Sequence, residues 1–230
     1  MLSKTTKALK EVRKMVRAIL ENSVIEEDYP PSFDMEHFKA LKNFAQRVAY
    51  CQQHLQRISS GSSRIVYKID DEKVLKLAKN KKGIAQNETE ISYSNYPDID
   101  DIITKAFSSD RSAFWVEMEF AKPVRKGDFK RITGYDFEDY CAAIYNYFQV
   151  VTGKTKLTMK VDKELETSMW ENEFTYAIFN FIGNYKIPVG DLMRISSYGI
   201  VNRNGAETIV LVDFGLTHEV HSTHYSNHIK

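Results

Sequence analysis

Two cysteines, Cys51 and Cys141, are all that the 230 residues contain. Two thiols cannot complete a four-ligand zinc site by themselves, and a secreted disulfide scaffold uses more, so the expected setting is reducing and cytoplasmic, with both thiols free. Charge of one sign is also lacking. The 32 basic and 31 acidic side chains leave a net charge of +1, which gives polyanion binding no support; no nucleic-acid partner is expected. No run nears the roughly 18 apolar residues of a membrane span, so no membrane partner is expected either. The first twenty residues mix charges with Leu, Val and Ile and lack the apolar block of a signal peptide. Internal repeats and low-complexity tracts are missing as well.

What remains is the composition of a folded chain, with 43% hydrophobic and 12% aromatic residues. Its length suits one large domain or a two-lobed one. Residues 4–22 carry Leu9, Val12, Val16, Ile19 and Leu20 at three- and four-residue steps, which predicts an amphipathic helix. Pro30 and Pro31 break the chain, since proline lacks an amide donor and restricts the residue before it. Asp34 then caps a second predicted helix carrying Phe38, Leu41, Phe44, Val48 and Leu55. Residues 1–57 therefore read as a helical hairpin extension.

From about 58 the period becomes strand-like. The segments RIVYKI and KVLKLA flank Asp70-Asp71 and read as a β-hairpin. Residues 84–94 read as a short helix, and 102–107 and 112–120 as two more strands. Beyond Gly127 the pattern turns helical. Thr133 or Asp136 caps one helix that ends near Gly153, and Asp162 caps another that runs through Phe181. A last hairpin joins 198–203 to 208–213 through Asn204-Gly205, a strong turn signal between alternating apolar runs.

Four stretches carry chemistry. The first, SSGSSR (59–64), is a small-residue turn that lets backbone amides approach an anion; Ser60, Gly61, Ser62 and Ser63 are its candidate contacts. The second is VLKLA, where alternation leaves open whether Lys76 faces an anionic partner or solvent. The third, WVEMEFAKP, is an apolar strand running into a link. The fourth is VLVDFGLT, with Asp213 at a strand end, where a carboxylate suits a hard cation.

In this order the set resembles the protein kinase family, over roughly residues 58–220. It is similar to the short kinase-like proteins of bacteriophages in GSSRIVYKID, VLKLAKNKKGIAQNE and SSYGIV…VLVDFGLT. The resemblance implies an α+β, two-lobed fold: an N-lobe over 58–121 and a reduced helical C-lobe over 122–230, preceded by the helical extension. It implies ATP and Mg²⁺ as cofactors, and a hydroxyl acceptor, with protein Ser/Thr first and a small molecule as an alternative. Lys76 would bridge the phosphates to a helix glutamate. Helical spacing points Glu88 inward, whereas the family's local context favours Glu90. Met118 would border the adenine pocket, with the backbone of Glu119 and Ala121 bonding the adenine edge. Asp191 would be the catalytic aspartate and Asp213 the metal ligand. Arg194 would reach a phosphate or an acidic substrate, or else stay a solvated loop charge.

The chain departs from the family at its catalytic loop. Val189-Gly190 replace the His-Arg pair, and Ser196 and Ser197 stand where a metal-binding asparagine belongs. Only 17 residues follow Asp213. These departures imply the rival reading of a pseudokinase that docks a host or viral protein. His221, His224 and His228 could share a helix face as metal ligands, but their neighbours are poor helix formers, so a polar tail is expected.

Overall fold

The computed structural model describes residues 29–154, 159–185 and 187–217, together with 220 and 223. The helix expected over 4–22 and the histidines at 218, 221, 224 and 228 lie outside the described residues. The fold is α+β and two-lobed.

Helices α1 (Met35–Ala40) and α2 (Phe44–His54) come first. One helix was expected here. The break arises because Leu41 turns extended and Asn43 opens a second helix, its side chain accepting from the Gln46 amide at 2.9 Å. Strands β1 (Gln56–Ser60), β2 (Arg64–Lys68), β3 (Lys73–Ala78), β4 (Ala106–Ser109) and β5 (Trp115–Glu119) form one antiparallel sheet in the order β1-β2-β3-β5-β4. Helix α3 (Lys81–Tyr93) is inserted between β3 and β4, capped by Asn80.

Both faces of this sheet are covered. On one face Ile65, Tyr67, Leu75, Leu77 and Trp115 pack against Phe33, Phe38, Cys51 and Leu55 of the N-terminal segment. On the other, Val74, Val116 and Met118 join the core shared with the second lobe. Every residue of β3 after Lys73 is therefore buried, Lys76 included. Tyr29 fastens the roof to the sheet by donating to the Glu117 carboxylate at 2.8 Å. Burial pushes the Cys51 thiol up to about 12 and does the same for Cys141, so both are protonated and inert at neutral pH.

The second lobe opens with the two-residue strand β6 (Lys122–Pro123) and helix α4 (Lys126–Thr133), which sequence periodicity did not mark. Helix α5 (Phe137–Val151) follows with Asp136 at its N-cap position. The helix expected from Asp162 through Phe181 is two helices, α6 (Lys163–Glu171) and α7 (Glu173–Tyr185). Asn172 is extended between them, and its side chain accepts from the Thr175 amide at 3.2 Å. The short helix α8 (Val189–Leu192) and a 3₁₀ turn (Ile195–Ser197) lead to β7 (Tyr198–Arg203) and β8 (Ala206–Leu211), which pair with β6. Asn204 and Gly205 turn that hairpin with φ of 55° and 83°. The lobes also meet through a parallel bridge between Ile103 and Leu211, where Thr104 donates to the Leu211 carbonyl at 3.0 Å and Leu211 to Ile102 at 2.7 Å. No helix among the described residues is long and apolar enough to cross a membrane.

Candidate functional site

The register Val66↔Lys76↔Val116 sets Lys76 on the cleft face of the sheet. The amine donates to Glu90 Oε2 at 2.7 Å and to the Val212 carbonyl at 2.6 Å, and it lies 5.7 Å from the Phe214 ring centroid. Two of its three N–H donors are thus spent on protein. The solvent-facing alternative for Lys76 fails because the second lobe covers that face. Glu90 is fully buried on α3, while Glu88 is exposed, which corrects the inward placement drawn from its helical spacing. Tertiary contact decides between the two carboxylates: the face of α3 that meets the sheet carries Gln86, Asn87 and Glu90.

Residues 64 and 87 belong to the same cluster, and sequence reasoning missed both. Arg64 reaches Glu90 Oε1 at 2.9 Å, Asn87 Oδ1 at 3.3 Å and Asp213 Oδ1 at 2.6 Å, and it is buried. The available signal was strand alternation, since Arg64, Val66 and Lys68 share one face of β2. Two cations and two carboxylates so form a set of zero net charge. Burial acts first to lower the Lys76 pKa, and Glu90 opposes it. Burial raises the Glu90 pKa, but Arg64 and Lys76 outweigh it, and the carboxylate is held below its ordinary value.

The small-residue loop is tied down on α3. Ser63 is buried and its hydroxyl donates to Gln86 Oε1 at 3.1 Å, so it faces the helix and not an anion in the cleft. Asn80 donates to the Ser62 carbonyl at 3.2 Å, and Lys79 donates to that of Gly61. Ser60, Gly61 and Ser62 are exposed. Gly215 lies so close to α3 that a Cβ there would meet the Gln86 carbonyl oxygen at 2.6 Å. The turn after Asp213 therefore needs glycine for close approach.

Met118 is fully buried between the lobes. Glu119 donates its amide to the Lys105 carbonyl at 2.8 Å, and its carboxylate takes Arg203 at 2.7 Å. Ala121 lies against Gly199 on β7. Asp191 sits on α8, 24% exposed, with Arg194 at 3.3 Å from its Oδ1. Tyr198 steadies this loop by donating to the Leu192 carbonyl at 2.7 Å, and its hydroxyl lies 2.8 Å from that of Tyr140. Val212 donates to the Ser197 carbonyl at 2.8 Å, so the hairpin register carries Ser196 and Ser197 alongside the segment that leads into Asp213. Ser197 is buried and Ser196 exposed.

A divalent cation fits these donors poorly. Asp213 is 51% exposed, but Oδ1 is already paired with a guanidinium. Glu90 is taken up by two cations. Among the described residues no group of three or more His, Cys, Asp or Glu side chains could hold a metal. A hydroxyl from Ser196 is a weaker donor than a carboxylate or an amide carbonyl.

No protein-family model and no curated protein matches the chain. Solved structures do resemble it in outline. One is the streptomycin–ATP ternary complex of APH(2'')-IIa, at 14% identity and a TM-score of 0.35, covering 81% of this chain and 72% of that one. A second is the GDP complex of wild-type aminoglycoside 2'-phosphotransferase-IIIa, at 10% identity and a TM-score of 0.37, covering 76% and 73%. A third is ADP-bound aminoglycoside phosphotransferase APH(2'')-Ib, at 14% identity and a TM-score of 0.32, covering 80% and 71%. The assignment of a kinase-like α+β fold follows from this chain's own strand order, with a helix inserted after the lysine strand and a hairpin running into Asp213.

Proposed function

We propose that the cleft between the lobes binds the phosphates of ATP and transfers the γ-phosphoryl group to a hydroxyl acceptor. The buried Lys76–Glu90 pair carries this reading. A strand lysine held 2.7 Å from a helix carboxylate, with one N–H left over beside Asp213, is built to meet an anion. In the proposed step the acceptor oxygen forms a bond to the γ-phosphorus, the bond from that phosphorus to the β–γ bridging oxygen breaks, and ADP leaves. Asp191 orients the acceptor and takes its proton. Met118 and the backbone of Glu119 and Ala121 border the base. Mg²⁺ belongs to the resemblance and not to the donor set described above.

A second reading rests on its own observation. Arg64 holds Asp213, and serine stands in place of asparagine at 196, which favours a pseudokinase that works by docking a protein partner. Thermal unfolding with ATP separates the two. Ligand at about 100 times its dissociation constant adds about 2.7 kcal/mol of stability. If ATP produces a shift, phosphoryl transfer is measured against a panel holding a Ser/Thr peptide and small hydroxyl compounds, aminoglycosides among them. Transfer that Asp191→Ala abolishes supports the enzyme; binding without transfer supports the pseudokinase. No shift with any nucleotide removes the functional proposal.

A further inference from the structure

The poor fit of a divalent cation has a specific cause in this chain, and we propose that Arg64 is a built-in counter-ion that takes the place of a metal at Asp213. The proposal concerns the phosphate cleft assigned above and rests on that reading. Arg64 is the first residue of β2, directly after the small-residue loop. Its Nη2 lies 2.6 Å from Asp213 Oδ1, a short charge-assisted contact, and its Nη1 lies 2.9 Å from Glu90 Oε1. The guanidinium is anchored behind the cleft by Glu90 and Asn87, so it cannot leave without stranding a buried carboxylate beside a single ammonium.

Charge then decides the outcome. A dication on Asp213 would lie within a few ångströms of a fixed guanidinium, and the repulsion carries twice the charge product of a monovalent pair. The guanidinium also holds one of the oxygens such an ion needs. Arg64 and a divalent cation therefore exclude each other at this carboxylate. Nucleotide phosphates entering the cleft meet side-chain cations, Arg64 and Lys76, in place of a dication.

Removal of Arg64 is tolerable in principle. Lys76 still neutralises Glu90, and Asp213 is exposed enough for water to take over. The test is a manganese titration of the full chain, metal alone, followed by electron paramagnetic resonance. Wild type should show no manganese site that Asp213→Asn removes. Arg64→Met should gain one at least about tenfold tighter than any wild-type site, and Arg64→Met with Asp213→Asn should lose it. Arg64→Gln replaces Arg64→Met if that variant does not fold by circular dichroism. An Asp213-dependent site in wild type overturns the proposal, and so does a folded Arg64 variant without the gain. Should neither Arg64 variant fold, the wild-type comparison with Asp213→Asn decides alone. ADP binding is scored separately in EDTA. Its absence would sink the functional proposal and leave the manganese result intact, whereas manganese binding by wild type would do the reverse.

Discussion

The two faces of the five-stranded sheet are made by the same strands and solve opposite problems. On the roof side Tyr67, Leu75, Leu77 and Trp115 meet Phe33 and Phe38, and stability comes from area removed from water. On the cleft side Arg64, Lys76, Glu90 and Asp213 meet, and stability depends on every charge finding its opposite. Along β3 the switch occurs every residue, from Leu75 to Lys76 to Leu77. The apolar face tolerates changes in shape at a graded cost. The charged face fails abruptly when one member goes, because the remaining charges lose their compensation inside a medium that solvates them poorly.

The sharpest contrast between the faces pairs Phe38→Ala with Glu90→Gln. Glu90→Gln leaves two buried cations facing a neutral amide, at an expected cost of about 3–5 kcal/mol in urea unfolding. Phe38→Ala empties a fully buried ring site on the roof and should cost a similar amount, about 3–5 kcal/mol. The two separate in their pH response. Glu90 has a lowered pKa when folded, so its contribution is present above its ordinary value near 4.5 and is lost as pH falls through the folded value. Unfolding free energy measured from pH 6 downward should decline in wild type and in Phe38→Ala. In Glu90→Gln the decline should be shallower; equal slopes in all three would break the contrast.

Smaller effects follow. Gly215→Ala drives a methyl into the Gln86 carbonyl and should cost about 1–3 kcal/mol, read as a lower midpoint of thermal unfolding. A neutral result would mean that the turn after Asp213 does not press on α3. Glu88→Ala, on the exposed side of the same helix, should stay within about 0.5 kcal/mol of wild type. A loss near that of Glu90→Gln would overturn the assignment of the inward carboxylate.

Much of this was legible from residue order. Alternation around Asp70-Asp71 and Asn204-Gly205 marked both hairpins, since each turn residue has a local physical role. Lys76 and Asp213 were found because strand-bound charges among apolar neighbours are conspicuous. Less was legible where distant contacts decide. Helical spacing pointed Glu88 inward, yet the sheet meets the face that bears Glu90. The breaks at Leu41 and Asn172 are set by packing angles, and each resumes with an asparagine cap that looks ordinary inside an apolar pattern. Arg64 was passed over because an arginine at a strand start usually faces water. Its partners lie 26 and 149 positions further along the chain, beyond any local pattern.

The parallel bridge of Ile103 and Leu211 stands apart from the covalent link through Phe120 and Ala121. Two separated fastenings define an axis, whereas one would define only a pivot. Any gaping of the cleft should therefore be rotation about that line, with shear and sliding suppressed. Paired spin labels on the exposed positions 62 and 194 should report one dominant distance coordinate. Independent motion in two directions would show that the second fastening yields.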